Sequence, residues 1–316
     1  MGLLKSLPPP PSGKRGWPWT MESETPARKM DNGDDWPRIS IVTPSYNQGR
    51  YIEETIRSIL LQNYPNIEYI IIDGGSTDET LDVIRKYEPW LTFWVREPDN
   101  GQSHAINKGF SRCSGDIYNW LCSDDILLSG ALEYIARRMV LGAPCWLVGG
   151  VQAFDEKNGN TLFRPAPQFF SIVNFLFWQT MSLPQSSVFW NRRLQEARGG
   201  LDQNLHFCMD TDLWLRFFYV TAPTLADCEL SRYRIHANAK TTVYSSYYQQ
   251  SLNEYASWLL TILEREANGE FRAALIAGLC EMQRQTIAWR RVREHVVLGR
   301  ILRWWKYLIN RELPID

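Results

Sequence analysis

Two adjacent carboxylates, Asp124 and Asp125, follow the strand-like run Ile117-Tyr118-Asn119-Trp120-Leu121, with only Cys122-Ser123 between. Neighbouring carboxylates repel unless a cation relieves them. A hard divalent ion such as Mg²⁺ or Mn²⁺ takes oxygen ligands and often bridges one or two carboxylates to a substrate's phosphates. Alone, the pair also fits a solvated turn that caps the next helix. A second acidic turn, Asp73-Gly74-Gly75-Ser76-Thr77-Asp78, ends the apolar run Tyr69-Ile70-Ile71-Ile72. Its glycines let a ligand come close to the backbone. The Asp73 carboxylate can accept hydrogen bonds from a base or a ribose. Asp-Gly-Gly-Ser is an ordinary turn as well. A third polar segment, Thr43-Pro44-Ser45-Tyr46-Asn47, closes Ile39-Ser40-Ile41-Val42. Neither G-x-G-x-x-G after the first strand nor a phosphate-binding P-loop is present.

The elements that must position these turns alternate. After Ile39–Val42, a helix is expected from about Tyr51 to Gln62, since Ile52, Ile56, Ile59 and Leu60 share one face of a 3.6-residue period. Tyr64-Pro65-Asn66 breaks it. Tyr69–Ile72 is apolar on both faces, as in a buried parallel strand. A helix follows with Leu81, Ile84 and Tyr87 inward, then a strand at Leu91–Val95, a helix at Gln102–Arg112 and a strand at Ile117–Leu121. This βαβαβαβ order implies an α/β fold, Rossmann-like, with a mostly parallel sheet and helices on both faces. Ligands of such sheets bind beyond the carboxyl ends of the strands. All three polar loops lie at those ends, and their convergence weighs against three ordinary turns.

The flanks differ in character. Residues 1–36 carry Pro8–Pro11 and no apolar period, which reads as a flexible tail. Residues 37–246 form the expected catalytic domain, and 247–316 a C-terminal helical region in which Leu252, Tyr255, Leu259, Ile262 and Leu263 recur at helical spacing. Phe169, Phe170, Phe175, Phe177 and Trp178 fit core or a covering helix, or the wall of an acceptor groove. Arg290–Arg311 combines seven basic residues with Trp304 and Trp305, which fits a packed helix or an interfacial one on anionic lipid. A formal net charge of −1 gives no global field toward nucleic acid, so no such partner is expected. The six cysteines are scattered without a C-x-x-C pair, as in reduced thiols of a reducing compartment. No run reaches the roughly 18 apolar residues of a membrane-spanning helix. The expected location is the cytoplasm, with peripheral contact at the inner membrane face.

The stretches ISIVTPSYNQGRYIEETIRSILLQNYPNIEYIIIDGGSTDET and EPDNGQSHAINKGFSRCSGDIYNWLCSDD resemble glycosyltransferase family 2, the inverting family with the GT-A fold. The resemblance continues through LPQSSVFWNRR, GGLDQNLHFCMDTDLWLRF and YRIHANAKT. It implies a nucleotide-sugar donor, such as a UDP-sugar, and a glycan or lipid-linked acceptor in surface polysaccharide or glycan assembly. It implies that Thr43, Pro44, Ser45, Tyr46 and Asn47 line the base and that Asp73, with Gly75 and Ser76, meets its edge. Gln102, Asn107 and Lys108 fall beside the sugar-nucleotide, and Asp124 reaches the ribose or donor sugar. Asp125 would ligate Mg²⁺ or Mn²⁺, and His236 stands where the family contacts metal or diphosphate, although a lone histidine is equally a structural residue. Asp210, six positions before Arg216, matches the family's general base.

Two positions depart from the pattern. His104 stands where aspartate is commoner, and Met209 stands where glutamate often precedes the base. A nucleotidyltransferase-like enzyme could share the nucleotide half without the Asp210 motif. A non-catalytic sugar-nucleotide-binding protein would lose Asp125 and Asp210, and both are present.

Overall fold

The computed structural model describes residues 2–164, 183–236, 239 and 248–266. Strands β1 (Ile39–Ser45), β2 (Ile67–Asp73), β3 (Phe93–Arg96) and β4 (Ile117–Trp120) pair in parallel, in the order β3-β2-β1-β4. β1 is buried at all seven positions, as expected of a strand covered on both faces. The sheet continues beyond β4 through β5 (Ile126–Leu127), β6 (Trp146–Asp155), β8 (Val188–Asn191) and β9 (Thr224–Ile235). Its full order is β3-β2-β1-β4-β8-β6-β9-β5, with the short β7 (Thr161–Phe163) on β6. Here β8 runs antiparallel to β4 and β6, while β6 and β9 are parallel. The sheet is therefore mixed, and its parallel half is the one legible as βαβ repeats.

Helices α1 (Gly49–Leu60), α2 (Thr80–Tyr87) and α3 (Gln102–Phe110) connect the parallel strands, and α4 (Ala131–Arg138) follows β5. Ile52, Ile56, Ile59 and Leu60 of α1 are buried as their period requires. On α2, Ile84 and Tyr87 are buried, while Leu81 is only half-buried. α3 lies close on β1: a Cβ at Gly109 would sit 2.3 Å from Val42 Cγ1, so only glycine allows this approach.

Two boundary expectations change. Thr43-Pro44-Ser45 is not a loop but the end of β1, paired with Ile71, Ile72 and Asp73. Proline is tolerated there because Val42 bonds toward β4 and Ser45 toward β2, so residue 44 faces the β4 side, where the ladder has already ended at Trp120. The third strand begins at Phe93 rather than Leu91, since Glu88–Trp90 forms a 3-10 turn first.

The expectation of a flexible tail at 1–36 is overturned. Leu7, Trp19 and Trp36 are buried, and Ser23 N bonds Leu61 O at 2.8 Å. Arg57, fully buried on α1, donates to the carbonyls of Pro8 (2.8 Å), Pro18 (3.0 Å) and Trp19 (2.8 Å). Isolated apolar residues and main-chain carbonyls hold this segment, and neither leaves a sequence period.

A second core is aromatic. It joins β4, β6 and β8 to α6 (Met209–Phe218), which follows the short α5 (Arg192–Arg198). Trp214 stacks on Trp120 (5.4 Å between centroids) and on Trp146 (5.9 Å), and meets Trp190 edge-on at 5.8 Å. All four indoles are buried. Removing about 200 Å² per indole from water contributes on the order of 5 kcal/mol before entropy is counted. That anchors α6 on the sheet.

These elements form one compact unit, residues 1–169 and 180–239. A second unit comprises 170–179 and 240–316. Its described part is α7 (Tyr248–Glu266), on which the Tyr255 and Trp258 rings lie 5.6 Å apart. No helix among the described residues is long and apolar enough to cross a membrane. The aromatic run Phe169–Trp178 and the basic stretch 290–311 lie outside the described residues.

Candidate active site

The register Ser45↔Asp73 and Val42↔Trp120 brings the ends of β1, β2 and β4 to one edge of the sheet. The turn after β4 carries Asp124, half-buried, and Asp125, buried. α1 braces it from behind: Thr55 Oγ1 lies 2.9 Å from Ser123 O and 2.7 Å from Asp125 O. β9 braces it from the side. Arg234 N bonds Asp125 Oδ1 (3.2 Å), and its guanidinium reaches Asp124 O (3.0 Å) and pairs with Glu54 on α1 (2.8 Å). His236 Nε2 lies 3.0 Å from Asp124 Oδ2, and its ring packs on Tyr51 at 4.8 Å. Burial, and then the negative charge of Asp124, hold the Asp125 carboxyl well above the usual range.

Among the described residues, Cys122, Asp124 and Asp125 offer ligand atoms within 4.8 Å of one another. The Cys122 sulfur accepts from Gln102 Nε2 (3.2 Å) and donates to Gln185 Oε1 (3.6 Å), so it is already engaged by two side-chain amides. The available donors are thus two hard carboxylates, which fit Mg²⁺ or Mn²⁺. His236 stands outside this trio, against Asp124, with its buried Nδ1 unpartnered among the described residues.

The Asp73 turn is more inward than the sequence implied. Asp73 is fully buried, its Oδ1 accepting from Gly75 N (3.1 Å) and Ser76 N (2.8 Å) and its Oδ2 from Ser76 Oγ (2.5 Å). Its carboxylate shapes the turn, and Gly75 at φ +96° completes it. Thr43, Pro44 and Ser45 are buried in β1, and Thr43 Oγ1 bonds Tyr69 OH. Tyr46, just after β1, is 62% exposed. Asn47 N bonds Ser76 Oγ and its Oδ1 accepts from Thr77 N, which ties the first loop to the second.

α3 spans the distance to the second acidic centre. Gln102 at its start touches Cys122, as above. Ser103 Oγ lies 2.8 Å from Met209 Sδ, beside Asp210. Asp210 sits in the first turn of α6, half-buried, with Oδ1 accepting from Thr211 N at 2.7 Å. Desolvation raises its pKa, and the bonds to Thr211 only partly offset that. Asn107 and Lys108 are engaged elsewhere: Asn107 with the Leu201 main chain, Lys108 with Glu97 (2.9 Å) and Pro98 O.

The structure thus joins Asp124, Asp125, Gln102 and His236 in one network and connects it through α3 to Asp210. Sequence reasoning missed Tyr51, Glu54, Cys122, Gln185 and Arg234. The available signal was the alternation along β9, which sends Arg234 and His236 the same way as each other. A separate cavity of about 290 Å³, lined by Asp116, Leu141, Arg192, Arg193 and Glu196, opens at the amino end of β4, away from this edge.

Residues 40–220 match the family model described as Glycosyl transferase family 2. The chain is 28% identical over 238 residues to an uncharacterized glycosyltransferase of Rickettsia conorii, covering 72% of this chain and 39% of that one. The chain thus spans about two-fifths of that relative. Residues 1–349 of S. aureus TarS, in complex with UDP, superpose with a TM-score of 0.59 at 16% identity over 82% of this chain and 72% of that one. The mannosyltransferase PcManGT of Pyrobaculum calidifontis, in complex with GDP-Man and Mn²⁺, superposes at 0.50 with 18% identity, covering 87% and 81%. At these identities the likeness is one of fold, and it bears out the expected GT-A architecture.

Proposed function

The chain belongs to glycosyl transferase family 2, and from that premise we propose that it is an inverting transferase moving a sugar from a nucleoside-diphosphate donor, such as a UDP-sugar, to an acceptor hydroxyl. The observation that carries this reading is the α3 bridge: one helix touches the Asp124–Asp125 turn at Gln102 and the Asp210 helix at Ser103. Donor-side and acceptor-side carboxylates therefore belong to one structure.

The nucleotide would lie along the carboxyl ends of β1, β2 and β4, with the exposed Tyr46 ring on the base and the Gly75–Ser76 backbone close beneath. Asp124 would meet the ribose or donor sugar. Asp125 and Asp124 would hold a Mg²⁺ or Mn²⁺ ion, which supplies charge neutralisation at a leaving diphosphate. His236 and Arg234 keep Asp124 and Asp125 in place. Asp210 would take the proton of the acceptor hydroxyl as its oxygen bonds to the anomeric carbon from the face opposite the diphosphate. The carbon–diphosphate bond breaks in the same step, and the configuration inverts. General-base help of this kind is worth about 10²–10⁴-fold. The proposed acceptor is a glycan or lipid-linked sugar, reached from the cytoplasmic membrane face.

Turnover of UDP-, GDP- and dTDP-sugars with Mn²⁺, with water as the default acceptor, tests the reading. One donor should be hydrolysed by the wild type. Asp125→Asn should lose Mn²⁺-dependent nucleotide binding, and Asp210→Asn should keep binding and lose turnover. Unchanged Mn²⁺-dependent binding in the first variant, or wild-type turnover in the second, sinks the corresponding assignment.

A further inference from the structure

The segment entering α6 is gripped at three places by side chains from two helices. Asn107 on α3 forms a matched pair with one residue: Nδ2 donates to Leu201 O at 2.8 Å and Oδ1 accepts from Leu201 N at 2.8 Å. Arg216 on α6 reaches back to the carbonyls of Arg198 and Gly200, the latter at 2.7 Å, with Nε held by Asp212 at 2.9 Å. Ser103 Oγ lies 3.1 Å from Leu205 O and 2.8 Å from Met209 Sδ. Gly200 adopts φ +88°, a turn that these bonds hold.

We infer that Asn107 is a positioning residue of the acceptor side, which with Ser103 and Arg216 holds residues 198–209 so that Asp210 stands in register with the donor-binding edge. This rests on the reading of Asp210 as the base. It is offered in place of the expectation that Asn107 touches the sugar-nucleotide, because both polar atoms of its amide bond the Leu201 main chain. A planar amide is the group that can donate and accept side by side, as one backbone N–H and C=O require. The strength of the grip matters because a displacement of about 1 Å in a catalytic group can cost about 10²-fold.

The test uses the full chain and the donor sugar that the wild type hydrolyses, with UDP and Mn²⁺ as the binding probe. Asn107→Ala should lower kcat about 10–100-fold, while UDP affinity and donor KM stay within about twofold. Asn107→Asp keeps the acceptor for Leu201 N and should recover part of kcat. Hydrogen exchange of residues 199–208 should speed up in both. Loss of UDP affinity with unchanged exchange in 199–208 would overturn the inference and return Asn107 to the donor site. If Asn107→Ala does not melt cooperatively, Ser103→Ala probes the same segment from its other end, with the same outcomes deciding. Asp210→Asn is run alongside: wild-type turnover there defeats the base assignment, whereas the exchange and UDP measurements still decide where Asn107 acts.

Discussion

Arg57→Met should destabilise the domain by about 3–5 kcal/mol and loosen residues 2–36 without touching a catalytic group. Methionine keeps the length and apolar stem of the side chain but removes the guanidinium. The carbonyls of Pro8, Pro18 and Trp19 then lose their donor, as does the Tyr87 hydroxyl oxygen at 3.0 Å. An unsatisfied buried acceptor costs about 1–3 kcal/mol, which gives roughly 3–9 kcal/mol for three carbonyls. Relief of the desolvated charge and entry of water at the half-buried Pro8 offset part of this, hence the lower figure. For a unit of this size, about 2–4 °C per kcal/mol puts the fall in melting temperature near 10 °C. Thermal melts of the full chain, with limited proteolysis to follow cleavage within 2–36, check both parts. The consequence reaches the site, because Thr55, two residues before Arg57, carries the Asp124–Asp125 turn. A melt within about 2 °C of wild type and an unchanged cleavage pattern would refute the claim that this segment is part of the domain.

Asp210 predicts a pH dependence of fixed sign. Burial raises its folded pKa above the ordinary aspartate value of about 3.9, and a base works only when deprotonated, so turnover should fall as pH drops through that raised pKa. The same shift means that the folded state prefers the protonated form and that ionised Asp210 destabilises it. Asp210→Asn should therefore melt above wild type at neutral pH, with the difference fading as pH falls through the folded pKa; a variant that melts lower at every pH contradicts this. From its sequence, Arg290–Arg311 should bind anionic vesicles at low salt and release at high salt, as co-sedimentation reads, and should lose binding when 290–316 are deleted. Indifference to vesicles at low salt would overturn the lipid-binding expectation.

The parallel half of the sheet was legible because its physics is periodic. Ile52, Ile56 and Ile59 announce a helix, and Tyr69–Ile72 announces a strand buried on both faces. The acidic turns were legible because they fall together at the carboxyl ends of parallel strands, where ligands of such sheets bind. The remainder depended on contacts without a period. Nothing in the sequence around Arg57 marks it as the hub for three distant carbonyls, and the sparse apolar residues of 2–36 are indistinguishable by pattern from those of a loose tail. Asp73 illustrates a different limit. Its residue type fits a ligand contact and a turn-builder equally well, and only the three bonds to Gly75 and Ser76 show how the carboxylate is spent.

Met209 clarifies why Asp210 is perturbed at all. A glutamate at 209 would raise the neighbouring aspartate by like-charge repulsion. Methionine supplies no charge, and every influence on Asp210 that raises its pKa is burial. If Asp210 is the base, as proposed, its proton affinity is raised by burial, and the segment that leads into it is held from α3 by Ser103 and Asn107. The same helix lies against β1 through Gly109 and touches the Asp124–Asp125 turn through Gln102 and Cys122. One nine-residue helix thus contacts both the Asp124–Asp125 turn and the segment that leads into Asp210, so the proposed donor and acceptor sides share a support.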